Sequence, residues 1–231
     1  MPQFDIGLVL AGRYHDWLLS GFVVSLQLAG MTLLLALPLG MAVALLRLAP
    51  FAPLRALGWL YVESIHNVPL LAHLLFWYFG VPAMLPEGLR EWLQSGNIEL
   101  LCAVVGLTLY CAAYMAEDVR SGIRAVPAGQ LDAARALGFG FLGAMRLVVL
   151  PQAIRITVPP LISRTLSLWK DTSIATVIGV AEMMAQAARV ESDSFRSAEA
   201  FVFTTSAYLA VSLAITAAAA VFEHRYPVRP A

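Results

Sequence analysis

The sequence predicts an all-α integral membrane protein with five transmembrane helices, and two observations carry that reading. Of 231 residues, 60% are hydrophobic and 13% charged, at a mean hydropathy of +0.76. A soluble domain holds about a quarter charged residues, so the deficit points to lipid. The second observation is that the apolar residues fall into five long runs, on the scale of the roughly 20 residues a bilayer demands. Net charge is zero, which leaves no basic surface of the kind that binds nucleic acid.

The first run, residues 17–46, contains no charged residue, enough for one tilted span. The second, 57–81, is interrupted early by Glu63, His66, Asn67 and Pro69. The third, 99–117, lies between Glu99 and Glu117. The fourth, 156–181, is broken by Arg164, Lys170 and Asp171, and the fifth, 200–222, is uncharged throughout. Five spans put the termini on opposite sides. With the N-terminus outside, inner segments hold nine arginines (Arg47, Arg55, Arg120, Arg124, Arg135, Arg146, Arg155, Arg225 and Arg229). Outer segments hold four (Arg13, Arg90, Arg189 and Arg196) and also carry Glu87, Glu91, Glu191 and Asp193. The excess of basic residues inside predicts N-outside and C-inside. Residues 1–13 lack the basic, apolar and small-residue regions of a cleaved leader, so the first run is expected to be retained.

Small residues recur at helical spacing in the first run, at Gly21, Ser25 and Ala29 and again at Ala36, Gly40 and Ala44. Such stripes let helices approach closely and imply packing rather than chemistry. Cys102 and Cys111 lie nine residues apart in one run. On a helix that is about 900° of rotation and about 13.5 Å of rise, so no bridge between them is expected. No repeat, low-complexity segment or linker divides the chain, which reads as a single membrane domain, 1–231.

The inner segment 120–155 is unlike an ordinary connector. Pro127 suits a first helical turn and Gly138 a helix stop. The spacing predicts a helix over 128–137 and a second over 141–150, closed by Pro151. A solvated loop needs no alanine- and leucine-rich hairpin, so this one is expected to dock onto something. Within it, Asp132-Ala133-Ala134-Arg135-Ala136-Leu137-Gly138 is followed nine residues later by Val148-Val149-Leu150-Pro151. This resembles the EAA loop of ABC-importer permeases (Glu-Ala-Ala, three residues, Gly, nine residues, Ile-x-Leu-Pro), with Asp132 for Glu and Val148 for Ile. The resemblance implies the transmembrane domain of a type I importer. It also implies that Asp132, Ala133, Ala134, Arg135, Gly138, Leu150 and Pro151 belong to the element that sits in a groove of an ATPase subunit.

The likeness extends further. The segment Tyr61-Val62-Glu63-Ser64-Ile65-His66-Asn67-Val68-Pro69-Leu70-Leu71 is similar to the second-span motif of polar amino-acid permeases, with His66 where that group typically has Arg. Together with residues 114–130 and 170–174 it resembles the glutamate/aspartate branch slightly more than others. What this implies is a permease moving a polar amino acid by alternating access, with no cofactor. Its implied partners are a pair of ABC ATPase subunits, a second permease (a homologue or another copy), and an extracytoplasmic amino-acid-binding protein. In keeping with a partner's supplying the energy, a phosphate-cradling loop must end in Gly-Lys-Ser/Thr, and the only lysine, Lys170, lies between Trp169 and Asp171.

Ionisable groups within a span are costly and read as functional candidates, and transporters place substrate sites at interrupted helices near the midplane. A zwitterionic amino acid needs an acceptor for its ammonium, which Asp171 and Glu63 offer. It also needs donors for its carboxylate, which Lys170, Asn67, Thr172 and Ser173 offer, with His66 on the same path. The competing reading of Lys170 and Asp171 is a structural ion pair. Arg164 and the Glu117–Arg120 pair read as structural, and no histidine has metal-ligand spacing. A second function class, an ion-gradient-driven transporter of a small polar solute, predicts internal repeats that the chain lacks. A membrane-embedded enzyme predicts a catalytic motif, and none is present.

Overall fold

The computed structural model describes residues 4–227. Arg229, counted above on the inner side, and residues 1–3 of the segment read for a leader lie outside the described residues. Among the described residues every regular element is helical. A short α1 (Gly7–Leu10) precedes α2 (Gly12–Leu48), which contains the whole first run and carries Pro38 inside it. Then α3 (Ala52–His66) and α4 (Leu70–Leu75) follow, the backbone breaking between them at Asn67–Pro69. A π-turn, Phe76–Gly80, leads into α5 (Val81–Met84) and the amphipathic α6 (Glu87–Gln94). The third run lies in α7 (Ile98–Arg124), and the predicted hairpin begins with α8 (Ala128–Ala136) and α9 (Phe141–Ala144). A second π-turn, Met145–Val149, continues into α10 (Leu150–Asp171) and a 3-10 turn, Thr172–Ile178. The chain ends with α11 (Met183–Ser194) and α12 (Ser197–Arg225). Among the described residues four helical segments are long and apolar enough to cross a membrane, and five if the pair flanking residues 67–69 counts as one.

The lengths follow from composition. In α2 and α12 apolar residues occupy the whole circumference, the pattern of a helix with no water-facing side. Leu34, Leu35 and Leu45 of α2 and Leu209 and Leu213 of α12 are accordingly exposed on the chain, surfaces suited to lipid.

The structure corrects the hairpin in one respect: Pro151 does not close a helix, because residues 141–178 run on without a stop. In a regular α-helix the ring of Pro151 would strike the carbonyl of Leu147, four residues back. Leu147 lies in the π-turn, where the backbone is widened by one residue, and the proline is accommodated. The same device recurs at Pro82, whose fourth preceding residue, Tyr78, lies in the other π-turn.

The chain forms two compact units. The first comprises residues 1–35, 68–110 and 167–214. Its core joins Val9 and Leu18 to Ala187, Val190 and Ala200, with Tyr14, Trp17 and Phe201 packed against them. Gly21 lets α2 meet α11 directly, since a Cβ there would lie 2.9 Å from Met183 Cα. At its edge Arg13 pairs with Asp193, and the Arg189 guanidinium lies 3.9 Å from the Trp17 ring centroid. Cys102 belongs to this unit, is buried and is free.

The second unit comprises residues 36–67, 111–166 and 215–231. Val43, Ala44, Val62 and Ala116 form its core. The small residues of the second stripe work as expected here, since a Cβ on Gly40 would lie 2.9 Å from Met115 Cβ. Gly122 has the same role against α10, where a Cβ would approach Thr157 Cα to 3.2 Å. Cys111 is buried in this unit and is not part of a disulfide.

Candidate functional site

The hairpin lies in the second unit. Pro127 stands just before the first helical residue of α8 rather than inside it, with extended backbone. The helix ends in a Schellman motif. The Phe139 N–H donates to Ala134 O (3.1 Å) and the Gly138 N–H to Arg135 O (2.9 Å), with Gly138 left-handed at φ +85°. A side chain in that conformation is strained, and this is why the position is a glycine. Asp132, Ala133 and Arg135 are exposed while Ala134 is buried, so α8 shows one charged, small-residue face. Leu150 and Pro151 are exposed at the far end. Leu137 and Leu142, on either side of the turn, are each 80% exposed, and Phe141, Leu147 and Ile154 are exposed with them. Gln152 Nε2 ties the two arms together, donating to Gln130 Oε1 at 3.3 Å and to Val148 O at 2.9 Å.

Glu63, His66 and Asn67 also belong to the second unit, at the last turn of α3. Asn67 Nδ2 donates to the Glu63 carbonyl (2.7 Å) and to its carboxylate (3.2 Å), so the amide caps the helix end and holds the acid. The His66 ring lies on the Tyr114 ring, centroids 4.1 Å apart at 32°. The Arg164 guanidinium sits 4.5 Å from the same tyrosine centroid, and its Nε donates to Asp118 at 3.3 Å. The sequence reading of Arg164 as a structural cation is met by this pairing. Glu117 and Arg120 pair as their spacing suggests, and Arg47 Nη1 joins them at 2.9 Å from Glu117.

Lys170, Asp171, Thr172 and Ser173 belong to the first unit, where α10 gives way to the 3-10 turn. The Thr172 hydroxyl is buried and donates to Trp169 O (2.8 Å), and Ser173 Oγ donates to Lys170 O (2.7 Å). Both hydroxyls thus spend their protons on the backbone where the helix tightens. Lys170 is exposed and Asp171 half-buried. Behind them Trp169 is buried and anchored by Nε1 to Tyr208 O at 3.2 Å.

One residue that sequence reasoning missed is Glu182. It is fully buried and caps α11 by accepting from the Ala185 N–H (2.8 Å). It also accepts from the hydroxyls of Thr176 (2.6 Å), Tyr208 (3.0 Å) and Ser25 (3.1 Å). Ser25 Oγ in turn accepts from the Met183 N–H at 3.1 Å. One carboxylate thereby binds α2, the 3-10 turn, α11 and α12 of the first unit. The signal was Gly179, left-handed at φ +91°, which ends the preceding turn and makes Glu182 a helix start rather than a loop acid.

Comparison with known proteins places these features in a family. The model of the binding-protein-dependent transport system inner membrane component matches residues 36–227. The chain is 37% identical over 203 residues to the glutamate/aspartate import permease protein GltJ of Escherichia coli (strain K12), covering 86% of this chain and 82% of that protein. It is 37% identical over 222 residues to the probable glutamine ABC transporter permease protein GlnM of Bacillus subtilis (strain 168), covering 96% and 94%. A chain from a crystal structure of an amino acid ABC transporter with histidines aligns with a TM-score of 0.83 and 30% identity, over 97% of this chain and 100% of that one.

Proposed function

We propose what this chain does from a plain premise: it belongs to the family of binding-protein-dependent transport system inner membrane components. It is a multi-pass membrane permease, and its role is to carry a polar amino acid, glutamate, aspartate or a close relative, into the cytoplasm by alternating access. The relatives named as glutamate/aspartate and glutamine permeases support that substrate class. ATP is hydrolysed by a pair of partner ATPase subunits, a second permease completes the path, and an extracytoplasmic binding protein delivers the substrate. The chain lies in the cytoplasmic membrane of a bacterium with its N-terminus outside and its C-terminus inside, as the arginine distribution supports.

The observation that carries the coupling role is the exposed apolar hairpin. Leu137 and Leu142 are 80% exposed on either side of a glycine turn, beyond the end of a membrane-length helix. Leaving two leucines in water costs about 1.5–3 kcal/mol each relative to burying them, so a partner groove is the economical explanation. Asp132, Ala133, Arg135 and Gly138 contribute the small and charged face that enters it, Ala134 backs that face from inside, and Leu150 and Pro151 close the far arm. On the substrate path, Lys170 is the donor for the carboxylate and Asp171 the acceptor for the ammonium. Glu63, His66 and Asn67 are assigned to substrate passage on the likeness of their segment to the second-span motif of polar amino-acid permeases, and Thr172 and Ser173 shape the helix break that carries Lys170.

The test is reconstitution with the ATPase and the binding protein, followed by a competition panel of labelled amino acids. Uptake should require ATP and be competed by acidic amino acids or their amides. Uptake driven by an ion gradient without the ATPase would return the chain to the secondary-transporter class.

A further inference from the structure

The second unit contains a cavity that neither coupling nor substrate passage uses. It has a volume of about 390 Å³ and is lined by Arg47, Arg55, Arg120 and Arg124, with Ala52 and Trp59. Arg47 and Arg120 share one acid, Glu117, at 2.9 and 3.0 Å. Among the described residues Arg55 reaches only backbone carbonyls, Ala49 O at 3.3 Å and Pro50 O at 3.5 Å. Arg124 has no ion pair among the described residues. Among the described residues, four guanidinium groups against one carboxylate leave three positive charges unbalanced around one opening. Like charges this close repel, the more so where protein and lipid exclude water.

Backbone geometry adds to the positive field. The first residue of the 15-residue α3, Ala52, lies on the cavity wall, and its N-cap, Phe51, offers no side-chain hydrogen bond. Pro53 has no N–H and the Arg55 N–H donates to Phe51 O, so this end offers an anion its dipole and the N–H groups of Ala52 and Leu54. Gly58 sets the approach: a Cβ there would lie 2.8 Å from Arg47 Cγ, so its absence lets the arginine stem cross α3 into the cavity.

The site lies where α2 and α7 end, Arg47 being one residue from the end of α2 and Arg124 the last of α7. That is headgroup depth, and Trp59, 53% exposed, is the residue type that marks it. Immediately along α3, Leu57 and Leu60 are 60% and 59% exposed and present an apolar surface beside the cationic opening. Guanidinium forks match phosphate oxygens in pairs, and basic pockets between helix ends are a recognised way of holding lipid headgroups.

We propose that this arginine cavity binds a phosphate ester, the headgroup of an anionic phospholipid whose acyl chains lie along the Leu57–Leu60 face of α3. The leaflet, the cytoplasmic one, follows from the orientation proposed above, whereas binding itself does not depend on it.

The experiment uses the full chain, delipidated in neutral detergent, with thermal unfolding and native mass spectrometry as readouts. Phosphatidylglycerol should raise Tm by about 3–6 °C, the scale of ligand linkage at saturating concentration. Phosphatidylcholine should give little shift, and 0.5 M salt, which shortens the Debye length to about 4 Å from about 30 Å in 0.01 M buffer, should weaken the effect. Arg55→Gln/Arg124→Gln should lose most of the shift and the retained lipid, while Arg55→Lys/Arg124→Lys keeps part of both. An equal shift with inorganic phosphate would support the phosphate site and move its source to the aqueous phase. Equal stabilisation by the two lipids, or an undiminished shift in the glutamine variant, would overturn the proposal. Should neither variant fold, counting bound phosphatidylglycerol against phosphatidylcholine on the wild-type chain decides it.

Discussion

Gly138 is where the hairpin is most open to a clean test. Its φ of +85° lies in the left-handed region, and a Cβ built there would meet nothing within 4 Å. A substitution therefore acts through backbone conformation and not through a clash. An L-residue in that region costs about 1–2 kcal/mol, most for a β-branched one. We predict that Gly138→Val lowers the population of the closed turn about 5- to 30-fold relative to its alternatives, the ratio that such an energy commands. Gly138→Asn, which tolerates the left-handed region, should remain within about twofold of wild type. The assay is labelled amino-acid uptake and binding-protein-stimulated ATPase in proteoliposomes, alongside recovery of the permease–ATPase complex in detergent. Insertion should be normal in both variants. Wild-type uptake by Gly138→Val would refute the role of the turn. Equal damage by Val and Asn would show that any side chain fouls the partner surface and that the strain argument is wrong.

Further outcomes are expected elsewhere. Glu182→Leu leaves the Ala185 N–H and three hydroxyls without their shared acceptor and should destabilise the first unit by about 2–4 kcal/mol, read as earlier thermal aggregation in detergent. Glu182→Gln, which keeps an acceptor oxygen, should recover at least half of that loss. Asp171→Ala should depress uptake at least tenfold with the complex still intact, and wild-type transport would return Asp171 to a structural role. Gly122→Ala pushes a methyl toward the Thr157 backbone and should cost about 1–3 kcal/mol, seen as a smaller monodisperse fraction on size exclusion.

The long apolar helices were legible because bilayer spans need uninterrupted apolar length, and charge-free runs such as 17–46 and 200–222 admit few other readings. The turn at Gly138 was legible for a local reason, since one residue type satisfies one dihedral. Glu182 was not, because its significance lies in Ser25 and Tyr208, which are remote in sequence. Nor were the π-turns, which leave composition unchanged and shift only the hydrogen-bond register. The sequence also suggests that Thr172 and Ser173 offer protons to a substrate. Both instead donate to carbonyls three residues back, as short hydroxyl side chains commonly do where a helix tightens.

The proline that follows the second π-turn bears on how the long helix would respond to force. Pro151, Pro159 and Pro160 cannot donate, so α10 lacks three backbone bonds in its first eleven residues and none for this reason in its last eleven. A rod so built has unequal compliance along its length, yielding near the hairpin and resisting near Lys170. A push applied at Phe141 would be shared along the rod in proportion to local compliance, the larger part as flexure in the proline-bearing half. Transmission would then be graded, as through two springs in series, with most of any movement of the hairpin absorbed in the first eleven residues and the remainder delivered at Lys170.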